Sequence, residues 1–269
     1  MASREQPFAD GQPSPVDIAN LVDTVPSRPA GDLEDDQLLA KSRESTRWEL
    51  TVTNVSWIAA RMLRLTVSAP GLETMDYQPG HDLTVLVARA GGRSIRRRYT
   101  IAGRTGDEVY LDVYVHGDGI GTAWAQARRP GDSINAIGPR GSFVLGSPAD
   151  WHVFVGDETS IPGMNAMLAA ADRPAEVVVE ADDPREWEAL PCRTADATRW
   201  TWLARGSSRD GVLALPRAGQ GHAYVSGEAG LVSAWRTELE RLGMDPSSIT
   251  HKAYWGIGRA NATHGEPLA

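Results

Sequence analysis

The stretch SIRRRYTIAGRTGDEVYLDVYVHGDGIGTAWA, residues 94–125, is the part of the chain that decides the fold. It contains two runs typical of strands, YTIAG and EVYLDVYVH, which are rich in β-branched and aromatic residues and are separated by a turn signal. The second run leads into a glycine-rich turn and then into a helix that begins within GIGTAWAQARR, residues 119–129. This order indicates strands of a small antiparallel sheet that carries one short helix.

The same strand pattern recurs on both sides of this stretch. Further strand candidates between residues 48 and 145 are WELTVTNV, MLRLTVS, DLTVLVA and SINAI. Together the six runs predict a six-stranded antiparallel β-barrel over residues 46–147. Residues 1–45 carry scattered prolines and an acidic run, so we predict an extended or partly disordered segment there, with one short helix possible near residues 16–22.

The pattern changes after GSPADW, where short apolar runs begin to alternate with longer segments. The strand candidates are WHVFV, AEVVVEA, RWTWLA, HAYVSG and HKAYWG, and helix-like stretches follow the first and the fourth of them. The first of these helices can start at Thr159 or Ser160, and the second stops at Gly243. We therefore predict a parallel-sheet α/β nucleotide-binding domain over residues 148–255, a tail over residues 256–269, and a binding site in the cleft between the two domains.

Composition excludes several classes of protein. The 269 residues carry 27 basic and 35 acidic side chains, and a net charge of −8 disfavours nucleic acid as a partner. Cys192 is the only cysteine, which excludes an internal disulfide or a cysteine-rich metal centre and fits a cytoplasmic location. There is no long apolar run and no apolar signal-peptide core near the first residue, so we predict neither a membrane span nor export.

Two local signals in the barrel point to an anionic cofactor. Arg96, Arg97 and Arg98 run directly into the strand that begins with Tyr99 and Thr100, and guanidinium groups hold phosphate bidentately. His116 then leads into a glycine-rich turn, whose free N–H groups at the start of a helix suit a diphosphate. The alternatives are a solvated basic turn and an ordinary strand-to-helix connection.

Two strand ends in the α/β domain carry polar residues. Asp157, Glu158, Thr159 and Ser160 follow the first strand, and Gly227 with Glu228 follows the fourth. Ligands of open α/β sheets collect at such carboxyl ends. Helix capping by Thr159 or Ser160, and a helix-dipole role for Glu228, are the structural alternatives. No GxGxxG motif is present, so the ordinary dinucleotide fingerprint is absent.

The motifs RRYT, DVYVHGDGIGTAWA, GPRGSF and GDETSIPGM, taken in this order, resemble the siderophore-interacting protein family of FAD-binding ferric-siderophore reductases, a branch of the ferredoxin-NADP reductase superfamily. The resemblance covers about residues 48–255. It implies that Arg97 contacts the FAD phosphates, that Tyr99 and Thr100 contact the isoalloxazine or ribityl groups, and that the GDET and GE segments lie along the nicotinamide side of the cleft.

The predicted cofactor-binding residues are Arg97, Arg98, Tyr99, Thr100, Tyr114, Val115, His116, Gly121, Thr122, Ala123, Trp124, Asp157, Thr159, Ser160, Gly227 and Glu228. Of these, Tyr99 and Thr159 are the predicted catalytic residues. The chain departs from the family pattern at Ala102, where an arginine is common, and at Gly256 and Ile257, where a basic pair is common. These departures bear on the charge of the substrate.

We therefore predict an FAD-dependent ferric-siderophore reductase that takes electrons from NAD(P)H or ferredoxin and uses no protein metal ligands. A basic patch of Arg140, Lys252 and Arg259 is predicted to receive the ferric siderophore. The alternatives are another flavin reductase of the superfamily, a flavin- or siderophore-binding module without turnover, and a barrel without flavin. The sequence leaves open which siderophore and which electron donor are used, and the oligomeric state.

Overall fold

The computed structural model describes residues 46–90, 93–146, 148–187, 190, 198–215, 218–257 and 259–260. The extension over residues 1–45, with its possible helix near residues 16–22, lies outside the described residues. Cys192 and the end of the tail after residue 260 also lie outside them.

The first domain is a closed antiparallel barrel, as the strand pattern predicted. Its strands are β1 (Arg47–Ala59), β2 (Met62–Ser68), β3 (Asp82–Ala90), β4 (Arg93–Thr105), β5 (Glu108–Tyr114) and β6 (Ser133–Arg140). They close in the order β1-β2-β5-β4-β3-β6. Alternation builds the barrel core, since Val109, Leu111 and Val113 of β5 point inward and are buried. Closure removes the exposed edges that an open sheet of this size would present.

Strand β4 is longer than the sequence pattern indicated. Arg96, Arg97 and Arg98 lie within it, opposite Leu86, Val85 and Thr84 of β3, because antiparallel pairing continues upstream of Tyr99. The alternative of a basic turn is therefore wrong. Side chains alternate along a strand, so the middle arginine of the three points to the opposite face from its two neighbours.

The second domain is an α/β sheet with five parallel strands. These are β7 (Trp151–Asp157), β8 (Ala175–Ala181), β9 (Thr198–Ala204), β10 (Gly221–Glu228) and β11 (Ile249–Gly256). A two-residue strand, β12 (Arg259–Ala260), pairs antiparallel with β11, which gives the order β12-β11-β10-β7-β8-β9. The predicted tail thus begins with a short strand. Every residue of β7 is buried, as is typical of a central parallel strand.

Three helices complete the described residues: α1 (Ile120–Gln126), α2 (Ile161–Leu168) and α3 (Ala229–Arg241). Helix α3 ends where predicted, because Gly243 adopts a φ of 95° just beyond it. Neither Thr159 nor Ser160 caps α2 through its side chain, which corrects the capping prediction. A 3-10 turn, Glu158–Ser160, precedes the helix, and the Asp157 side chain caps this turn by accepting a hydrogen bond from the Thr159 N–H.

Close packing of α2 against the barrel joins the two domains. Gly163 of α2 lies at this contact, since a Cβ there would be at van der Waals distance, 3.5 Å, from both Thr100 Cγ2 and the Tyr254 hydroxyl. The carboxyl ends of β7, β10 and β11 are therefore held facing β4 and β5, with a cleft between them. None of the helices within the described residues is long and apolar enough to cross a membrane.

Candidate functional site

The cleft between the two domains has a volume of about 410 Å³. The predicted site residues that line it are Arg97, Arg98, Tyr99, Thr100, Tyr114, His116, Gly121, Thr122, Thr159 and Lys252. The remaining lining residues are Asp82, Asp112, Val113, Gly119, Ile120, Pro162, Ala253, Tyr254, Trp255 and Gly256. Ten of the predicted residues, taken from segments far apart in the chain, thus share one surface.

The first end of the cleft is cationic, because Arg97 lies beside the glycine-rich turn. A Cβ at Gly121 would lie 3.5 Å from Arg97 Cγ and 3.0 Å from the Tyr99 hydroxyl, so the absence of a side chain at residue 121 lets the turn approach β4. Arg97 Nη1 donates to the Arg96 carbonyl at 2.9 Å. That bond uses one of the five N–H donors of the guanidinium. Arg97 and the glycine-rich turn both line the cleft.

The Tyr99 ring packs against a second aromatic ring. The ring stacks on Trp124 at a centroid distance of 5.7 Å and an interplanar angle of 12°. Trp124 itself is buried in the barrel core and does not line the cleft. Burial raises the pKa of Tyr99, with Arg97 opposing the rise, so the hydroxyl stays protonated at neutral pH.

A second aromatic group forms the middle of the cleft. Tyr114 and His116 stack at 5.1 Å, and His116 also contacts Trp255 at 6.2 Å. The Thr122 hydroxyl donates to the His116 carbonyl at 2.9 Å, which ties the start of α1 to the end of β5. Burial, together with the Glu158 carboxylate, raises the pKa of Tyr114 to about 12, so this hydroxyl is also protonated at neutral pH.

The second end of the cleft holds a charged cluster around Asp82. Arg98 binds this carboxylate through two bonds, Nε to Oδ1 at 2.9 Å and Nη2 to Oδ2 at 2.6 Å. Lys252 Nζ reaches the same Oδ2 at 3.2 Å from the other domain. Burial lowers the pKa of Lys252, while Asp82 opposes the decrease and Arg140 adds to it, so Arg140 lies near enough to join the cluster. The predicted contact of Arg98 with FAD stays a prediction.

The carboxyl ends of three strands meet at Asp157, which is fully buried. Its Oδ1 accepts from both the N–H and the hydroxyl of Thr159. Its Oδ2 accepts from the Glu228 N–H at 2.7 Å and from the Trp255 indole N–H at 3.0 Å. The single hydroxyl proton of Thr159 is therefore donated to Asp157, and only the lone pairs of that oxygen are available toward the cleft.

Several predicted residues do not line the cleft. Val115 packs against the barrel core, and the buried Ser160 hydroxyl has no hydrogen-bond partner. Glu228 caps α3, since its side chain accepts from the Leu231 N–H at 2.9 Å. Ala123, Trp124, Asp157, Gly227 and Arg140 likewise stand outside the lining set. The Arg259 side chain lies outside the described part of the chain.

Asp82 and Trp255 are the main lining residues that the sequence reasoning missed as site residues. Asp82 lies 170 positions from Lys252, and only the pairing of the two domains brings them together. The aromatic pair Tyr254 and Trp255 was visible at the end of β11, and the strand-end rule that was applied to β7 and β10 would have included it. Within the described residues, no group of three His, Cys, Asp or Glu side chains could hold a metal ion.

The cleft fits the FAD that the resemblance implies. Gly121 leaves a cradle beside Arg97, in which the N–H groups of the turn and a guanidinium face the same space, and this donor set suits a diphosphate. The rings of Tyr99, Tyr114 and Trp255 and the exposed Ile120 supply the apolar surface that a flat heteroaromatic ring needs.

Comparison with known proteins also indicates an FAD-binding domain. The family "Siderophore-interacting FAD-binding domain" matches residues 87–143, and the family "Siderophore-interacting protein" matches residues 149–258, so the two ranges together hold more than half of the chain. The mycobactin import ATP-binding/permease protein IrtA of Mycobacterium tuberculosis H37Rv is 27% identical over 228 residues, which are 80% of this chain and only 26% of that protein.

The ferric vibriobactin reductase ViuB of Vibrio cholerae O395 is 29% identical over 191 residues, which are 65% of this chain and 69% of that protein. Among solved structures, a siderophore utilization protein from T. fusca superimposes with a TM-score of 0.69 at 22% identity, covering 82% of this chain and 97% of that one. This chain therefore shares the fold of that solved structure.

Proposed function

Because the chain belongs to the siderophore-interacting protein family and carries its FAD-binding domain, we propose that it is an FAD-dependent ferric-siderophore reductase. In this reaction NAD(P)H would be the electron donor and a ferric siderophore the acceptor, with FAD held in the cleft between them. Iron is the substrate in this reaction and is released as Fe(II), which oxygen chelators hold far less tightly than Fe(III).

One observation carries this proposal: a single cleft is lined both by a phosphate-type donor set and by two partly buried cations. Arg97 lies beside the turn at Gly121. Arg98 and Lys252 are gathered around Asp82. A cofactor with a diphosphate and a flat ring suits the first group and the aromatic side chains, and a chelate with oxygen donors suits the second group.

The side chains supply binding and orientation. Bound FAD accepts electrons in pairs from a nicotinamide and releases them singly to iron. Arg97 would hold phosphate oxygens. The hydroxyls of Tyr99 and Tyr114 stay protonated and uncharged, because their pKa values are raised, and they donate to the Gly121 carbonyl and the Glu158 carboxylate. Pro162 and Thr159 border the cleft at the start of α2, where we place the nicotinamide. We propose that Thr159 and Tyr99, the predicted catalytic residues, act by shaping the surface of the cleft and do not transfer protons.

The test is an anaerobic titration of the purified, FAD-loaded protein. NADPH or NADH is added first, then a ferric trihydroxamate together with a chromogenic Fe(II) chelator. We expect the flavin absorbance to bleach with one nucleotide and to recover as the Fe(II) complex forms. A flavin that stays oxidised with both nucleotides but is reduced by ferredoxin would identify ferredoxin as the electron donor in place of NAD(P)H. A reduced flavin that no ferric chelate reoxidises would refute the reductase proposal.

A reductase with a different acceptor is the second candidate, because the same fold and cofactor would serve it. The same titration separates the two, with a quinone or free flavin replacing the ferric chelate. Preference for these acceptors over every chelate would favour the second candidate. Stoichiometric FAD with no reduction by any donor would favour a binding module.

A further inference from the structure

Asp157 is a buried carboxylate directly behind the cleft wall, and the reaction proposed above does not use it. Two of its hydrogen-bond donors, Thr159 and the Trp255 indole, line the cleft, while a third is the Glu228 N–H. The carboxylate therefore lies only one side chain away from the cofactor site, although it is 0% exposed itself.

The donor set favours the ionised form of this group. Three of its partners are the N–H groups of Thr159, Glu228 and Trp255, which can donate but cannot accept, and the fourth is the Thr159 hydroxyl. Four donors therefore reach the two oxygens, which is the arrangement that a carboxylate anion needs. Burial raises the pKa of Asp157, and the hydrogen bond from the Thr159 side chain is the largest opposing effect. No cation within the described residues is among the groups that shift it.

The backbone is also shaped around the carboxylate. Gly227 adopts a φ of 120°, and a Cβ there would lie 2.7 Å from Asp157 Cγ. Any other residue at position 227 would push the carboxylate out of its place between the strand ends. The chain thus keeps an uncompensated negative charge in a site that costs free energy to build, which is typical of functional rather than structural carboxylates.

We propose that Asp157 is a positioning residue with an electrostatic role: it holds Thr159 and Trp255 as walls of the cleft, and its fixed charge lowers the midpoint potential of the flavin. This inference rests on the proposed function only for the presence of flavin. Reduction adds electrons to the ring, so a fixed anion nearby opposes reduction and lowers the potential. A lower potential favours electron transfer to Fe(III), which strong chelators make hard to reduce.

The test compares Asp157→Asn with a matched control, Glu180→Gln. Glu180 is also a buried carboxylate of the sheet that accepts from an indole, since Trp235 Nε1 donates to it at 2.7 Å. It differs in that it pairs with Arg209 and that neither Trp235 nor Arg209 lines the cleft. Midpoint potentials are measured by dye-coupled anaerobic titration of the FAD-loaded protein without any chelate. We expect a positive shift for Asp157→Asn and none for Glu180→Gln.

An unchanged potential in Asp157→Asn, or the same shift in both variants, would overturn the inference. If Asp157→Asn does not fold, Thr159→Val still decides, because it removes one donor from the carboxylate and leaves the charge. Its potential should move in the negative direction, and a positive shift would contradict the proposal. A chain that retains flavin but reduces no chelate would refute only the proposed function. A wild-type chain that binds no flavin would overturn both.

Discussion

Replacing Asp82 by Ala removes the acceptor that joins a cation of the barrel to a cation of the α/β domain. The Asp82 side chain is 4% exposed, and those of Arg98 and Lys252 are 23% and 18% exposed. Both cations bind the same oxygen, Oδ2, at 2.6 and 3.2 Å. The substitution therefore removes the carboxylate that these two partly buried positive charges share.

The magnitude follows from this geometry. The two cationic nitrogens lie at most about 6 Å apart, and at an effective dielectric constant of about 20 their repulsion is roughly 3 kcal/mol. Removing one partner from a buried pair costs about 3–5 kcal/mol, and the partial exposure of both cations places this case at the lower end. We expect Asp82→Ala to lower the free energy of unfolding by about 3 kcal/mol. Lys252→Met should cost about 1 kcal/mol or less, because Asp82 keeps its two bonds to Arg98.

The assay is urea unfolding of the single variants and of the double variant, followed by tryptophan fluorescence at constant pH and salt. The double variant should be more stable than Asp82→Ala alone, because Met at position 252 removes one of the two facing charges. Asp172→Ala, which removes an exposed carboxylate paired with Arg173, is the control and should leave the midpoint unchanged. Losses that simply add in the double variant, or an Asp82→Ala loss under about 1 kcal/mol, would refute this reasoning.

Three further predictions use other parts of the structure. Arg97→Ala should weaken FAD binding about 10–100-fold in a fluorescence titration, since a charge-assisted hydrogen bond contributes about 1.5–3 kcal/mol, whereas Arg89→Ala on exposed β3 should not. Gly227→Ala should destabilise the fold more than Gly206→Ala in urea, because both positions have positive φ but only the first also clashes with a carboxylate. Burial lowers the pKa of His152 from its ordinary 6.5, so the unfolded chain binds the proton first and stability should fall as the pH drops through about 6.5. His152→Phe should reduce that pH dependence of the urea midpoint.

The architecture was predictable because the strands within each domain share one pattern of apolar residues. Alternating residues such as Val109, Leu111 and Val113 identify barrel strands, and the run WHVFV, which is apolar except for His152, identifies a buried parallel strand. The sequence says less about how far the pairing between two neighbouring strands extends. Strand β4 extends back through the three arginines only because β3 pairs with them, and a polar, charged run carries no strand signal of its own.

The site was predictable as a set of segments and not as a set of side chains. The motif around Arg97 and the turn at Gly121 do lie together, yet Val115 in the same motif packs against the barrel core and does not line the cleft. Val115 follows the end of β5, where the alternation of a strand no longer predicts the direction of a side chain. The cluster at Asp82 could not be read at all, because it depends on how one domain packs against another.

The cleft handles its buried charges in three different ways, and the differences indicate what each part does. Arg97 borders open space that an anion can fill, and Asp82 is neutralised by two cations from different domains. Asp157 is surrounded by donors without a cation. The three charges have different proposed roles and therefore different counter-ion requirements. Arg97 binds a ligand, Asp82 joins two domains, and Asp157 acts through its electric field. Substituting the first should chiefly change affinity, the second chiefly stability, and the third should change the potential in addition to any loss of stability.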